Sequence, residues 1–525
     1  MADRGMESTF SEIIEALSQP QAYPHKTSNI KIIHTQMSCV FLTGDYAYKI
    51  KKPVNLGYLD YTTLEKRKHF SEQEVLLNRR LCRDVYLGVV PITKRGGRHG
   101  VEGEGKALEY AVKMRQLPQE KMMDRLLAQG LVTPAMVERV ARLLAEFHSR
   151  AATGPHISAF GSLDYVKTNT GENFTQTEPY IGRTVSPEKH QALKEYAYGF
   201  LQHHADIFQQ RVEGDHIRDC HGDLHAAHIC FEDGVKIFDC IEFNDRFRYG
   251  DTASEVAFLA MDLDHHGFPH LSRAFVEAYV QALGDRGLWD VLVFYKLYRA
   301  HVRAKVDGFK ADAPHIPQEE RERALQAARG YFDLALAYAR RKLAITAGLV
   351  GTGKTALARA LGERLGWEVV SSDAVRKALA GLPPTQHHYE AFEEGLYSPS
   401  FTRRTYEEIF HRARNILLQG GSVLLDATFR SRALREEAAS LAREAEAEFL
   451  VLETLCPEEV IRERLERRAG EASFSDADWQ VYLREKKIWE EITEVPPDHH
   501  LRVDTSATVK ALLPGLVRRL GGGLE

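Results

Sequence analysis

The sequence predicts two folded parts of different class: an α+β, two-lobed part up to residue 340, and an α/β part with a parallel sheet covered by helices on both faces from 341 to 525. Three observations lead there. Near residue 340 the pattern changes from β-type runs followed by helices to apolar strands that alternate with helices. A glycine-rich turn, GLVGTGKT at residues 348–355, lies between such a strand and a helix. At 525 residues the chain is too long for one hydrophobic core.

Residues 1–29 carry acidic groups on a helical periodicity, not the basic start and apolar run of a secretion leader, and read as an N-terminal helical extension. Residues 30–118 form a small lobe: the runs IKIIHT, CVFLTGDYAYKIKKPV, VVPITKRG and EYAVKMRQLP are strand-like, and Thr62 to Leu81 is helical. Thr43-Gly44-Asp45 marks a hairpin turn. Residues 119–340 form a helical lobe; Met136, Val140, Leu143, Leu144 and Phe147 line one face of a helix over 134–150. A loop-rich piece at 220–251 interrupts it. In residues 341–525 the strands LAITAGLV, WEVVSSD, GSVLLDATF, AEFLVLETL and LRVDTS alternate with helices. No flexible linker joins the parts, which points to domain coupling.

Hydrophobic residues at 44% and charged residues at 27% exclude a disordered chain. A net charge of −5 offers no global field for nucleic acid. No stretch approaches the ~20 apolar residues of a membrane span, and six cysteines without a framework fit a reducing compartment. A cytoplasmic protein is expected.

GLVGTGKT satisfies G-x-x-x-x-G-K-[ST] in the context that motif requires. Gly348, Gly351 and Gly353 let backbone N–H groups converge on phosphate oxygens, Lys354 reaches the β and γ phosphates of ATP, and Thr355 ligates Mg²⁺. Asp426 ends the strand SVLLD as a second metal carboxylate. Ala427 follows it where motor ATPases carry a water-activating glutamate, so transfer is favoured over hydrolysis. Asp373, at the end of EVVSSD, is placed to take a proton from an acceptor hydroxyl, with Arg376 one turn on to hold an anionic group. The bland reading is an N-cap aspartate beside a surface arginine. In VIRERLERRAG, Arg464 and Arg468 are lid candidates for neutralising the transferring phosphoryl group, although Glu463 and Glu466 interleave as on a solvated face.

These residues resemble the P-loop kinases of small molecules, including gluconate-kinase-like, zeta-toxin-like and polynucleotide 5′-hydroxyl kinases, and the resemblance makes Asp373 the expected general base.

In the first part, HGD at 221–223 is followed by His228 and, after a short hairpin pattern, by Phe238-Asp239. Protein-kinase-like enzymes space a catalytic Asp, a metal-ligating Asn and a second metal-ligating Asp in this way. The residues would then be Asp223 as base, His228 and Asp239 at the metal, and Lys49 on the phosphates paired with Glu74; Lys51 shares the strand face of Lys49 and competes with it. His221, His225, His228 and Cys230 also allow a zinc reading. Lys296, Arg299 and Arg303 would line one basic helix stripe.

With KKPV, LNRRL, YLGVVPI, HGDLH, FDCIEFND and VAFLAMDLD, the chain resembles bacterial fusions of an aminoglycoside phosphotransferase-like (protein-kinase-like) domain with a C-terminal P-loop kinase domain. The resemblance implies an ATP-dependent, Mg²⁺-using phosphotransferase acting on a hydroxyl of a small molecule or on a polynucleotide 5′ end. His228 departs from the Asn of that pattern, and imidazole is a poor Mg²⁺ ligand. The alternative reading is therefore an ATP-binding switch or scaffold whose N-terminal domain is a pseudokinase.

Overall fold

Strand periodicity at the start of the small lobe produces a six-stranded antiparallel sheet. The computed structural model describes residues 2–27, 29–313, 316–383, 395–468 and 479–520. It comprises two compact units, Met1–Ala335 and Leu336–Glu525.

The first unit opens with helix α1 (Ala2–Leu17). The strands are β1 (Lys31–His34), β2 (Ser38–Leu42), β3 (Tyr46–Lys51), β4 (Tyr86–Arg95), β5 (Arg98–Val101) and β6 (Glu109–Arg115), in the order β1-β2-β3-β6-β4-β5. Ile13 and Leu17 of α1 bury with Phe41, Tyr48, Ile50 and Ile92, so the C-terminal half of this helix belongs to the core of this lobe. The β2–β3 hairpin turns where Thr43-Gly44-Asp45 was expected to turn it: Gly44 holds φ 103 and Thr43 N–H donates to Tyr46 O at 2.9 Å. Helix α2 (Leu64–Asn78) begins where Thr63 accepts from Lys66 N–H. The helical lobe packs Pro134–Arg150, Thr252–His265, Pro269–Leu283 and Leu288–Asp312 around one core, with Val137, Val140 and Leu144 fully buried.

Inside this lobe His301 is 2% exposed and its Nε2 donates to Thr177 Oγ1 at 2.9 Å. Burial, with Lys305 and His190 nearby, pushes the imidazole down to about 3. A depressed histidine is neutral in the native state while the unfolded chain takes up a proton below pH ~6.5, so stability falls as pH drops from 6.5 towards the folded value. Between pH 7 and pH 4.5 this group is expected to cost about 2 kcal/mol. Urea midpoints across that range should fall less steeply in His301→Gln.

The second unit is a five-stranded, all-parallel sheet in the order Glu368–Ser371, Val423–Asp426, Lys342–Ala347, Glu448–Leu455, His500–Asp504. Alternate residues feed opposite faces. Leu343, Ile345 and Ala347 enter one core with Val423, Leu425 and Val451; Ala344 enters the other with Leu424, Leu450 and Leu452. A sheet apolar on both faces needs helices on both, as the alternation of strand and helix requires. The last turn of the helix Gln318–Ala339 belongs to this unit through Tyr338, whose ring lies where a Cβ on Gly420 would stand.

Candidate functional site

In the second unit, the strand Lys342–Ala347 runs into the glycine-rich turn, which caps the helix Lys354–Leu365. Gly348 takes φ 147, and a Cβ there would stand 2.5 Å from Thr454 Oγ1. Only glycine fits that approach. Lys354 Nζ donates to the carbonyls of Gly348 at 2.9 Å and Leu349 at 2.8 Å, wrapping the loop. Gly351 and Gly353 take φ 83 and 88, which turn the backbone into the helix N-terminus.

Asp426 ends its strand directly opposite Ser371 and is buried. Burial raises its pKa, while hydrogen bonds from Thr355 and Ser371 and the charge of Lys354 pull it down. Thr355, Ser371 and Asp426 thus form an all-oxygen corner beside the loop, a donor set that suits Mg²⁺.

The strand before Asp373 stops at Ser371, so Asp373 lies in the first turn of the helix Ser372–Leu379 and is neither the strand's last residue nor the N-cap. Arg376 is no surface arginine. It is 8% exposed, its guanidinium lies 4.6 Å from the Tyr397 ring and 3.8 Å from Asp373 Oδ1, and its Nε has no hydrogen-bond partner among the described residues. The bland reading of this pair fails on both counts.

Of the arginine-rich helix Glu458–Arg468, Arg464 turns inward. Its Nη2 donates to Thr505 O at 2.6 Å, and its buried Nη1, without a hydrogen-bond partner among the described residues, is 3.5 Å from where a Cβ on Gly353 would stand. The side chain of Arg468 lies outside the described residues. Arg462 pairs with Glu466 on the exposed face. Sequence reasoning missed Glu485, on the helix Trp479–Lys487: its buried carboxylate accepts from Val350 N–H of the loop at 2.9 Å.

In the first unit, β3 alternation sends Lys49 and Lys51 to the same side, where Glu74 of α2 meets both. Lys49 Nζ is 2.8 Å from Glu74 Oε1 and 2.7 Å from Asp239 Oδ1. Lys51 lies 2.7 Å from Glu74 Oε2 and also pairs with Glu242, which accepts from Tyr61 Oη at 2.7 Å. Lys49 stays partly open on the Asp239 side, whereas Lys51, 1% exposed, is a buried strut. Burial pushes Lys49 down, but Asp239, Glu74 and Glu242 outweigh it and hold its pKa well above the ordinary lysine value. Lys51→Met strands buried carboxylates and should lower unfolding free energy by about 3–5 kcal/mol. Lys49→Met should leave urea stability closer to wild type and abolish nucleotide binding to this unit, read by equilibrium dialysis.

The catalytic-loop candidate is clamped by groups invisible in the HGD motif itself. Gly222 takes φ 89, and a Cβ there would meet Phe247 O at 2.7 Å. Glu255 Oε1 accepts from His221 N–H at 2.8 Å and Gly222 N–H at 2.6 Å, and Asp262 Oδ2 accepts from Ala226 N–H at 2.8 Å. Both acids lie on the helix Thr252–His265, two turns apart. His221 Nε2 donates to Phe238 O at 2.9 Å, tying this loop to the one bearing Asp239.

The expected basic stripe dissolves here. Lys296 is buried against Asp264 and Ser272, Arg299 donates to Ser254 and to Gly222 O, and Arg303 acts on Asp223 through its charge. Helical periodicity placed these cations together, but the helix is packed on several sides.

Asp223, His225, His228 and Asp239 converge. His228 Nδ1 donates to Asp223 O at 2.9 Å, and its Nε2 is 3.5 Å from Asp239 Oδ2. Burial raises Asp223, yet His225, His228 and Arg303 hold it well below the usual carboxylate range. Burial, with His225 beside it, pushes His228 down to about 4 against Asp223 and Asp239, so the imidazole is neutral at pH 7. Cys230 does not join them: it is buried among Val75, Cys82, Tyr86 and Val112, which breaks the zinc set that included it.

Comparison with known proteins decides the family. Residues 88–294 match the Phosphotransferase enzyme family and residues 343–491 match an AAA domain. "Uncharacterized protein Rv2004c" of Mycobacterium tuberculosis is 31% identical over 452 residues, 86% of this chain and 88% of that protein. A Mycobacterium bovis protein, also described as uncharacterized, matches equally. The chain belongs to their family. An alignment of that length takes in parts of both units, so the family joins a phosphotransferase domain to a P-loop kinase domain.

Among solved structures, a choline/ethanolamine kinase family protein from Mesorhizobium loti is 13% identical, with a TM-score of 0.37 over 62% of this chain and 98% of that one. A gluconokinase from Sinorhizobium meliloti 1021 is 17% identical, with a TM-score of 0.26 over 35% of this chain and 94% of that one. Within this two-domain phosphotransferase family, Asp223 and Asp239 fall in the first matched region, and the loop 348–355, Asp373, Arg376, Asp426 and Arg464 fall in the second. Lys49 and Glu74 precede the first matched region. No helix among the described residues is long and apolar enough to cross a membrane.

Proposed function

We propose that the protein is an ATP-dependent kinase whose C-terminal site transfers the γ-phosphoryl group to a hydroxyl of a small molecule or to a polynucleotide 5′-hydroxyl. The carrying observation is the corner at the strand ends: Asp426, hydrogen-bonded by Thr355 and Ser371, with Asp373 two residues beyond Ser371 and Arg376 beside it. The loop amides and Lys354 hold the phosphates. Asp373 takes the acceptor proton as the acceptor oxygen bonds to phosphorus and the bond to ADP breaks. Arg376 holds an anionic group of the acceptor, and Arg464 lies over the loop. Mg²⁺, held by Thr355 and Asp426, would neutralise charge on the phosphates.

The N-terminal unit is proposed as a second ATP site, with Lys49 and Glu74 on the phosphates, Asp239 and His228 at the metal, and Asp223 as base. The Lys49–Glu74–Asp239 contacts support this. A second reading, in which this unit is a nucleotide-dependent switch without transfer, draws on His228. Incubating the full chain with ATP, Mg²⁺ and a panel of metabolites and 5′-hydroxyl oligonucleotides tests both. A phosphorylated product that disappears in Lys354→Ala supports the kinase reading; acceptor-independent ADP release alone sinks it. Nucleotide bound to the N-terminal unit with no product attributable to Asp223 supports the switch.

A further inference from the structure

Asp239 commits one carboxylate oxygen to Lys49 at 2.7 Å and turns the other, Oδ2, to His228 Nε2 at 3.5 Å. That spacing is too long for a hydrogen bond. It suits two neighbouring ligands of one divalent ion, because bonds of about 2.1 Å set at roughly 90–110° hold their donor atoms about 3.0–3.5 Å apart.

The ring is aimed as a metal-ligating histidine is. With Nδ1 donating to the backbone oxygen of Asp223 at 2.9 Å, the lone pair falls on Nε2, towards Asp239. Asp239 is held just as firmly: it keeps φ 65, its N–H donates to Tyr86 Oη at 3.2 Å, and the next N–H donates to Asn78 Oδ1 at 2.9 Å. A non-glycine residue in that conformation is sustained by such contacts and is common at functional sites. Further donors stand by. His225 lies 4.0 Å from His228 between ring centroids, and one donor atom from each of Asp223, His225 and His228 falls within a 4.8 Å cluster.

We propose that the N-terminal site takes a first-row transition cation of the Mn²⁺ class, through His228 Nε2 and Asp239 Oδ2, in preference to Mg²⁺. Mg²⁺ demands oxygen ligands and sheds water reluctantly, whereas affinity for a site containing imidazole rises from Mn²⁺ along the first row. The C-terminal corner of Thr355, Ser371 and Asp426 presents oxygen only. One chain therefore draws on two classes of cation. This inference rests on the reading of the N-terminal unit as a nucleotide site.

The test uses full-length Lys354→Ala protein, a methylene-bridged ATP analogue and Mn²⁺, read by electron spin-echo envelope modulation. Nitrogen modulation from a coordinated imidazole is expected, and its loss in His228→Asn. Mg²⁺ should compete with Mn²⁺ at least tenfold better in His228→Asn than in the parent. Equilibrium dialysis of the radiolabelled analogue, with either cation and with Lys49→Ala added, reads nucleotide binding separately. Binding that depends on Lys49 but shows no nitrogen modulation, or unchanged competition in His228→Asn, overturns the cation assignment alone. No Lys49-dependent binding with either cation overturns the nucleotide reading and the cation assignment together. Should Lys354→Ala fold poorly, the wild-type chain gives the same readout, because the C-terminal oxygens contribute no nitrogen signal.

Discussion

Glu255→Ala is expected to destabilise the N-terminal unit by about 4 kcal/mol and to release the segment around Asp223, because it removes a buried carboxylate and leaves several buried donors unpaired. Glu255 is 1% exposed and accepts from His221 N–H, Gly222 N–H and His148 Nε2, the last at 2.8 Å. Burial raises its pKa, but His148, His221 and the backbone N–H bonds bring it down to about 2. The carboxylate is thus ionised across the range in which the protein would work. Gln is the informative control. Its amide oxygen still accepts from the two loop N–H groups, and its NH₂ meets His148 if that ring shifts its proton to Nδ1, where Tyr279 Oη at 2.7 Å can accept it. Glu255→Gln should therefore lose about 1–2 kcal/mol, the scale of a few neutral hydrogen bonds. Hydrogen exchange by mass spectrometry should show faster exchange across residues 219–228 in Ala and near-native protection in Gln. Equal protection in all three proteins would mean that the loop is held by Asp262 and Arg299 without Glu255.

That clamp also marks where sequence reading stopped. Lys49, Glu74 and Asp239 were legible because strand alternation, the following helix and the HGD-to-FD spacing are local patterns, and the glycine-rich loop was legible because glycine is required where Gly348 meets Thr454. Glu255 and Asp262 sit in TASEVAFLAMDLD, which reads as an apolar helix. Two acids seven residues apart in such a run were the available signal, since a buried carboxylate needs donors nearby. The donors come from the loop near residue 221, more than thirty positions away, and no periodicity reports that. Lys296 shows the converse error: helical spacing put it on one basic stripe with Arg299 and Arg303, yet the helix Leu288–Asp312 is packed so that this lysine bonds Asp264 inside. Glu485 carried no signal at all, because its meaning depends on one tertiary contact with Val350.

Asp373→Asn is expected to lower kcat for the acceptor found in the panel by about 10²–10⁴, the usual range for loss of a general base, with ATP affinity unchanged. The separation follows from geometry. In the proposed site the phosphates lie on the loop, around which Lys354 wraps, whereas Asp373 lies on the next helix beside Arg376. Arg376 should divide differently. Its guanidinium is packed on Tyr397 with Nε buried and without a partner among the described residues, a costly arrangement that an anionic acceptor group would relieve. Lysine cannot reproduce the planar stack, so Arg376→Lys should raise KM for the acceptor by tenfold or more while kcat changes little. Steady-state kinetics with ATP and acceptor varied separately distinguish the two. A fall in ATP affinity in Asp373→Asn would place that carboxylate at the metal instead, and an unchanged acceptor KM in Arg376→Lys would reduce the arginine to a packing residue against Tyr397.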